Sequence, residues 1–235
     1  MKLASIVPMK NVSKTFDGSY AMLLAHLRDY YPKNTNKNCY VIMDNSLIEL
    51  GGAVDVLTVY KAAKQCGADE FILPDVFRDG MKTLESVKES IDTLRKYGYL
   101  HDMKLMAVCQ GKTPAEFTYC FEQLEKIPEI HCIGIPKVAH ELSPKGRPGL
   151  EKLWQGSPKA IHLLGCWSSL DEFRKYKNPA AIRSCDTCIP ALLATKNIVY
   201  PWAKRPDKTI DLLNDFINYS AYYSILNALE EEDLI

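Results

Sequence analysis

The sequence predicts an α/β fold of the (β/α)₈ barrel class (TIM barrel), with parallel strands and a C-terminal helix packed on the barrel. Strand-like and helix-like segments alternate at a spacing of roughly thirty residues, which is typical of a parallel sheet. The strand-like segments are continuously apolar, as expected when both faces of a sheet are covered. No GxGxxG or P-loop pattern follows the first strand, which weakens a dinucleotide-binding alternative. The 235 residues fit one barrel, so a single domain over residues 1–235 is expected.

The strands are predicted from short apolar runs that end at Pro, Gly, Gln or Asp. Seven runs are assigned in this way, at residues 3–7, 39–43, 70–73, 104–109, 131–135, 160–164 and 180–185. An eighth strand, at residues 197–200, would complete the barrel. A short apolar run precedes Asp186 and Pro190 ends further sheet pairing, so Asp186 is expected at the carboxyl end of the seventh strand.

Helices are predicted between the strands and after the last of them. They are assigned to residues 19–31, 54–66, 83–97, a segment from residue 114 onward, 150–154, 169–176 and 207–229. Thr113 is a good N-cap, with Pro114 at the first helical position and Glu116 three residues after Thr113. Gly67 is a suitable C-cap for the second helix.

The composition restricts the class of protein. Hydrophobic residues make up 47% of the chain, enough for a packed core, and 29 basic residues balance 29 acidic ones. This balance argues against a strongly electrostatic, non-specific nucleic-acid binder, but it allows a local basic rim. No secretory signal or membrane-length apolar run is apparent, so a cytoplasmic location with reduced thiols is expected. The one CxxC pattern, Cys185 to Cys188, is weak evidence for zinc, and no metal or cofactor is expected.

Polar residues and glycines recur where the predicted strands end. These positions are Asp44, Asp75, Gln110, Gly134, Gly165 and Asp186. One Asp after a buried strand is an ordinary helix cap, but three on separate strands of one barrel predict a shared site. Carboxylates with an amide suit the edge of a purine-like base, and glycines let a flat ring lie against the backbone. We therefore expect the three carboxylates to surround one heterocycle, with Asp186 as the nucleophile.

These motifs carry a resemblance to a known family. In order they are Asp44-Asn45-Ser46, Leu73-Pro74-Asp75, Val108-Cys109-Gln110-Gly111, Ile133-Gly134-Ile135, Leu163-Leu164-Gly165 and Asp186-x-x-x-Pro190. Over roughly residues 41–190, the chain resembles the tRNA-guanine transglycosylases (queuine and archaeosine tRNA-ribosyltransferases). The resemblance implies a (β/α)₈ barrel that exchanges guanine in a polynucleotide for a 7-deazaguanine base through a covalent glycosyl–aspartate intermediate.

The resemblance also implies a role for each matching position. Asp186 would be the nucleophile and Asp44 the general acid and base. Asp75 would bind the edge of the base and Gln110 its carbonyl oxygen. The other pocket-lining positions implied are Gly111, Gly134, Ile135, Leu164 and Gly165.

The chain also departs from the family pattern. Asn45, Ser46 and Leu47 follow Asp44 in place of Ser-Gly-Gly. The family's zinc site needs three Cys and one His after the nucleophile, whereas here Cys188 alone follows Asp186 and the last His is His162. A chain without the zinc-binding subdomain resembles the DNA-modifying relatives, which are often phage-encoded. The expected substrates are therefore DNA in preference to tRNA and a base such as 7-cyano-7-deazaguanine, in a host cytoplasm if the protein is phage-encoded. A homodimer or a protein partner is compatible with the charge, and no membrane partner is expected.

Loop cations are expected to contact the nucleic-acid backbone, with solvated surface charge as the alternative for each. They are Lys137, Lys145, Arg147, Lys196, Lys204 and Arg205. Trp167 and Trp202 are candidates to stack a base, although packing in the core is the commoner role of Trp. The target guanine would have to be flipped out of a duplex or lie in a single strand.

Two other functions are open at this point. Lys137 follows a strand end, where an amine could form a Schiff base in an aldolase on the same barrel. The chain could instead be a non-catalytic barrel that binds a deazaguanine or a nucleic acid. That barrel would use Asp75 and Gln110 but would not need Asp186.

Overall fold

The computed structural model describes residues 1–166, 168–207 and 209–235. Its centre is a closed barrel of eight parallel strands, each paired with its neighbours in sequence order and the last paired with the first. The strands are β1 (Lys2–Ser5), β2 (Tyr20–Leu24), β3 (Tyr40–Asp44), β4 (Glu70–Ile72), β5 (Lys104–Val108), β6 (Ile130–Pro136), β7 (Ala160–Leu164) and β8 (Ser184–Thr187). The predicted (β/α)₈ fold is confirmed.

Helices connect the strands and cover the outside of the barrel. The α-helices are α1 (Leu47–Leu50), α2 (Val56–Cys66), α3 (Gly80–Lys96), α4 (Pro114–Glu125), α5 (Ile189–Ala194) and α6 (Tyr219–Glu231). Helices of the 3₁₀ type cover Met9–Lys14, Ala25–Tyr30, Lys137–Leu142, Arg147–Leu153, Leu170–Lys175 and Pro179–Ala181. Helix α6 packs through Ala221 and Tyr222 against Ala191 and Ala194 of α5, so the predicted C-terminal helix does lie on the barrel. No helix among the described residues is both long and apolar enough to span a bilayer.

Two predicted helix ends are confirmed in detail. The Thr113 hydroxyl accepts a hydrogen bond from the Glu116 backbone N–H at 3.2 Å, and Pro114 occupies the first turn of α4. Gly67 ends α2 with a φ of 71°, in the left-handed region that a residue without a Cβ adopts at little cost.

Four predictions about the elements are wrong. Residues 19–31 form strand β2 and a 3₁₀ helix, and β2 completes the barrel, so residues 197–200 are not its eighth strand. Met22 faces the barrel interior and Leu23 the outer layer, so the run is apolar on both faces, as in a buried strand. The last strand begins at Ser184 and not at residue 180, because Pro179–Ala181 is a 3₁₀ helix. The C-terminal helix begins at Tyr219, where the Asn218 side chain accepts from the Ala221 N–H at 3.2 Å.

The middle of the barrel interior is mostly apolar, with His162 as a polar exception, and the amino-terminal end is polar. Its central side chains include Ala4, Met22, Ile42, Ile72, Met106, Val108 and Cys132. At the amino-terminal end, Arg183 Nη2 and Glu70 Oε2 are 2.7 Å apart, and the Glu70 side chain is fully buried. The Arg183 guanidinium also lies 5.5 Å from the Tyr40 ring centroid. We call this ion pair the barrel floor. The opposite end, where the strands terminate at their carboxyl ends, opens into a cavity.

Candidate functional site

A cavity of about 730 Å³ lies at the carboxyl ends of the strands, where (β/α)₈ barrels place their chemistry. Asp44, Asp75 and Asp186 all line it, although they come from three different parts of the barrel. Gln110, Leu164 and Gly165 also line it, as predicted. The remaining walls include the acidic Glu49 and Glu141 and the basic Arg78, Lys137 and Arg205. The predicted convergence of the three carboxylates is therefore present, and the volume suits a small molecule or an extruded nucleotide.

Asp75 is held by two amide side chains, one on each oxygen. Asn45 Nδ2 donates to Oδ1 at 2.7 Å, and Gln110 Nε2 donates to Oδ2 at 2.7 Å. The amide orientations are set in turn, because Asn45 Oδ1 accepts from the Leu47 N–H and Gln110 Oε1 accepts from the Arg78 N–H, both at 3.0 Å. Asn45 appeared in the sequence only as a departure from the family pattern, and its structural role was missed.

Burial decides the protonation of Asp75. The residue is 4% exposed, and loss of solvent raises its pKa from 3.8 to about 6, against the opposing hydrogen bonds from Asn45 and Gln110. A carboxyl group of this kind is ionised at neutral pH at some cost, and it is then a strong hydrogen-bond acceptor inside a largely apolar cavity.

This pKa predicts a specific dependence of stability on pH. The pKa of Asp75 is higher in the folded than in the unfolded state. The contribution of this carboxyl group to the unfolding free energy is therefore largest below about pH 4 and is lost as the pH rises through about 6. The loss amounts to about 3 kcal/mol. We expect the unfolding free energy of the wild type to fall by about that amount relative to Asp75→Asn between about pH 4 and pH 7.5. Urea unfolding measures it, and Asp207→Asn, at an exposed position, is the control that should not change the pH dependence. If the unfolding free energies of wild type and Asp75→Asn differ by the same amount at every pH, the raised pKa of Asp75 is contradicted.

Asp44 ends β3 in an environment that favours its protonated form. Burial raises its pKa well above the usual range, and the negative charges of Glu49 and Asp186 raise it further. One hydrogen bond opposes this effect, from the Ser46 N–H to Oδ2 at 2.9 Å. Ser46 has a φ of 59°, so the chain turns sharply at this point and leads into α1, which carries Glu49. Asp44 is therefore suited to donate a proton.

Asp186 is bound differently from the other two carboxylates. Its Oδ1 lies 3.0 Å from His162 Nε2 and accepts from the Gly165 N–H at 3.2 Å. Gly165 has a φ of 62°, which a residue without a side chain adopts at little cost. His162 is fully buried and was missed as a site residue. A signal was available, because His162 is the only imidazole in the apolar run of β7 and lies two residues before Leu164, which faces the cavity.

Three residues implied by the resemblance do not line the cavity. A Cβ added to Gly134 would lie 2.6 Å from Leu164 Cδ1, so this glycine makes room for a neighbouring side chain. A Cβ on Gly111 would lie 2.6 Å from the Phe117 backbone nitrogen, so Gly111 allows α4 to approach. Ile135 is fully buried in the outer core cluster. The prediction that these residues form the pocket wall is wrong, and packing is the reason for each.

The basic residues predicted to contact nucleic acid lie in three kinds of place: the cavity, the surface and, for Arg147, the core. Lys137 and Arg205 line the cavity, whereas Lys145, Lys196 and Lys204 are exposed on the surface. Trp202 is half-buried and lies against Arg174, whose guanidinium carbon is 3.4 Å from the ring centroid, while Trp167 lies outside the described residues.

The prediction for Arg147 is wrong, because its side chain is fully buried. Its Nε is 2.7 Å from Glu172 Oε1, and its Nη1 donates to the carbonyl oxygens of Ile135 and Leu164, each at 3.0 Å. Nη2 donates to the carbonyl oxygen of Gly165. Arg147 therefore holds together the ends of β6 and β7 and has no surface to offer to a phosphate.

The site as a whole brings together both predicted catalytic residues and four of the predicted binding residues, namely Asp75, Gln110, Leu164 and Gly165. It adds Asn45, Glu49 and His162, which the sequence did not single out. The chain matches no protein-family model, and a search of curated proteins finds no relative.

Proposed function

We propose that this protein is a transglycosylase that exchanges guanine in a polynucleotide, DNA in preference to tRNA, for a 7-deazaguanine base. The observation that carries this proposal is the convergence of Asp44, Asp75 and Asp186 with Gln110 in one cavity. The same residues lie in motifs whose order resembles that of the tRNA-guanine transglycosylases. The resemblance supplies the reaction, and the differing environments of the three carboxylates support their assignment to different roles.

The proposed reaction has two balanced halves. A carboxylate oxygen of Asp186 attacks C1′ of the target nucleotide, and the C1′–N9 bond breaks with its electron pair going to guanine. Asp44 donates its proton to the departing base, which fits the raised pKa of its carboxyl group. N9 of the incoming 7-deazaguanine then attacks C1′, the ester bond breaks, and its electron pair returns to Asp186. The proton from the incoming base goes to Asp44, which restores the starting state.

Recognition of the base is assigned to Asp75 and Gln110. An ionised Asp75 accepts hydrogen bonds, and guanine and 7-deazaguanines present N–H donors on the same edge. The Gln110 amide donates one N–H to Asp75, and its second N–H suits the carbonyl oxygen of the base. Both bases share these features, as an exchange reaction requires.

The proposal is tested by exchange with labelled polymers. The protein is incubated with 7-cyano-7-deazaguanine and with single-stranded DNA, duplex DNA or tRNA that carries radiolabelled guanine. We expect release of labelled guanine from DNA, dependent on the added base, and little release from tRNA. Release from tRNA alone would contradict the DNA preference. Release from no polymer, with the deazaguanine still bound, would favour the non-catalytic barrel.

Lys137 supports a second candidate, a Schiff-base aldolase. Its side chain lines the cavity and packs beside Gly165, where a Cβ would lie 3.6 Å from Lys137 Cδ. This candidate predicts that borohydride with a keto substrate modifies Lys137. It leaves the amide-bound Asp75 without a role, and we therefore prefer the transglycosylase.

A further inference from the structure

A chain of polar side chains runs through the barrel from its floor to the cavity. Arg183 of the barrel floor donates from Nε to Ser184 Oγ at 3.2 Å. Ser184 Oγ lies 2.8 Å from His162 Nδ1, and His162 Nε2 lies 3.0 Å from Asp186 Oδ1. Ser184 and His162 are fully buried and Asp186 nearly so, so water does not compete for these hydrogen bonds.

The two ends of this chain fix its direction. A guanidinium group can only donate, so the Ser184 oxygen accepts from Arg183 and keeps its own hydrogen to donate. Among the described residues, the partner that can accept this hydrogen is His162 Nδ1. A proton on Nδ1 would leave the buried Ser184 hydroxyl hydrogen without an acceptor, which is costly. His162 is therefore neutral, with its proton on Nε2, and it donates to Asp186.

The two oxygens of Asp186 are consequently unequal. Oδ1 accepts from both His162 Nε2 and the Gly165 N–H. Oδ2 has no hydrogen bond to any described residue, and Asp186 lines the cavity. Two hydrogen bonds to a single oxygen hold the plane of the Asp186 carboxylate, whereas Asp44 has one donor on its carboxyl group.

We propose that His162 is a positioning residue that fixes Asp186 so that Oδ2 is the oxygen that attacks C1′. The assignment rests on the proposed transglycosylase function. The tautomer of His162 does not rest on it and can be measured separately. His162 acts through Asp186 and does not contact the substrate itself.

The first test needs no activity. The chain has five histidines, so in protein labelled with ¹⁵N-histidine the signals absent from His162→Gln identify His162 by NMR. We expect the proton on Nε2 and a lone pair on Nδ1. A proton on Nδ1, or on both nitrogens, would overturn the proposal whether or not the protein exchanges guanine. Ser184→Ala removes the partner of Nδ1 and should increase the share of the other tautomer.

The second test compares His162→Gln with His162→Leu. Gln can place an N–H near the position of His Nε2, whereas Leu cannot donate. We expect the single-turnover rate of glycosyl transfer to fall about 10- to 100-fold in His162→Leu and to recover most of this loss in His162→Gln. The dissociation constant for 7-cyano-7-deazaguanine should stay within about twofold of wild type, because Asp75 and Gln110 are untouched.

The other possible rates of His162→Leu and His162→Gln also decide whether His162 positions Asp186. A wild-type rate in His162→Leu, or equal losses in both variants with folding intact, would overturn the positioning role. If His162→Leu does not fold, Ser184→Ala replaces it, and its rate should fall in proportion to the lost Nε2–H tautomer. If the wild type exchanges no guanine at all, the proposed function fails. The measured tautomer of His162 still tests the hydrogen bonds from Arg183 to Asp186.

Discussion

Asp186→Asn is expected to lower guanine exchange at least about 1,000-fold while the protein still binds 7-cyano-7-deazaguanine. The substitution removes the carboxylate that forms the glycosyl ester. The amide oxygen of Asn can still accept from His162 Nε2 and from the Gly165 N–H, so the local structure should persist. The base contacts of Asp75 and Gln110 are not altered. Exchange rates on labelled DNA and calorimetric titration with the base measure the two effects.

Asp207→Asn, at an exposed position, is the matched control and should leave both quantities unchanged. Asp75→Asn should show the opposite division from Asp186→Asn, with weaker base binding as its main effect. Exchange by Asp186→Asn within about tenfold of wild type would exclude Asp186 as the nucleophile. Loss of base binding and of exchange together would show that Asp186 supports the pocket and would leave its chemical role unproven.

Arg147→Met is expected to destabilise the protein by about 3–5 kcal/mol. The substitution removes the Arg147 guanidinium from beside the buried Glu172 carboxylate, and it removes the donors for the carbonyl oxygens of Ile135, Leu164 and Gly165. The Tyr176 hydroxyl also donates to Glu172 Oε1, at 2.9 Å, but a neutral hydroxyl cannot replace the full charge of Arg147. Urea or thermal unfolding measures the loss.

Lys145→Met is the matched control, because Lys145 is exposed and lies two residues before Arg147. Its effect on stability should stay within about 0.5 kcal/mol. Arg147→Met combined with Glu172→Met should recover much of the loss, since both charges of the buried ion pair are then replaced by apolar side chains. If Arg147→Met has normal stability but binds DNA more weakly, Arg147 contacts a phosphate after all, contrary to what its burial indicates.

The strand ends could be predicted because the chemistry changes abruptly there. An apolar run followed by Asp, as at Asp44, has few structural interpretations, and equivalent ends of a barrel meet at one face. Strand β2 was mistaken for a helix because Leu23, Leu24 and Leu27 also fit a helical stripe. Only pairing with β1 and β3, which involves distant residues, decides in favour of a strand.

The buried polar residues were predicted less well, for a related reason. Ser184 and Asp186 are buried polar residues of β8. Their hydrogen-bonding partner, His162, is on another strand, β7. Arg147 likewise looks like a surface residue until Glu172, which is distant in sequence, is found beside it. A single sequence gives the polarity of each residue but not the partner that allows its burial.

The central claim is that Asp186 becomes covalently bound to the sugar of the target nucleotide. The direct measurement is a denaturing gel of protein mixed with end-labelled, guanine-containing DNA in the absence of an incoming base. We predict a labelled protein–DNA band that disappears on addition of 7-cyano-7-deazaguanine. Peptide mapping of this band should assign the adduct to Asp186, and the Asp186→Asn variant should form no such band. Release of guanine from DNA with no such band, or an adduct that maps to another residue such as Lys137, would contradict it.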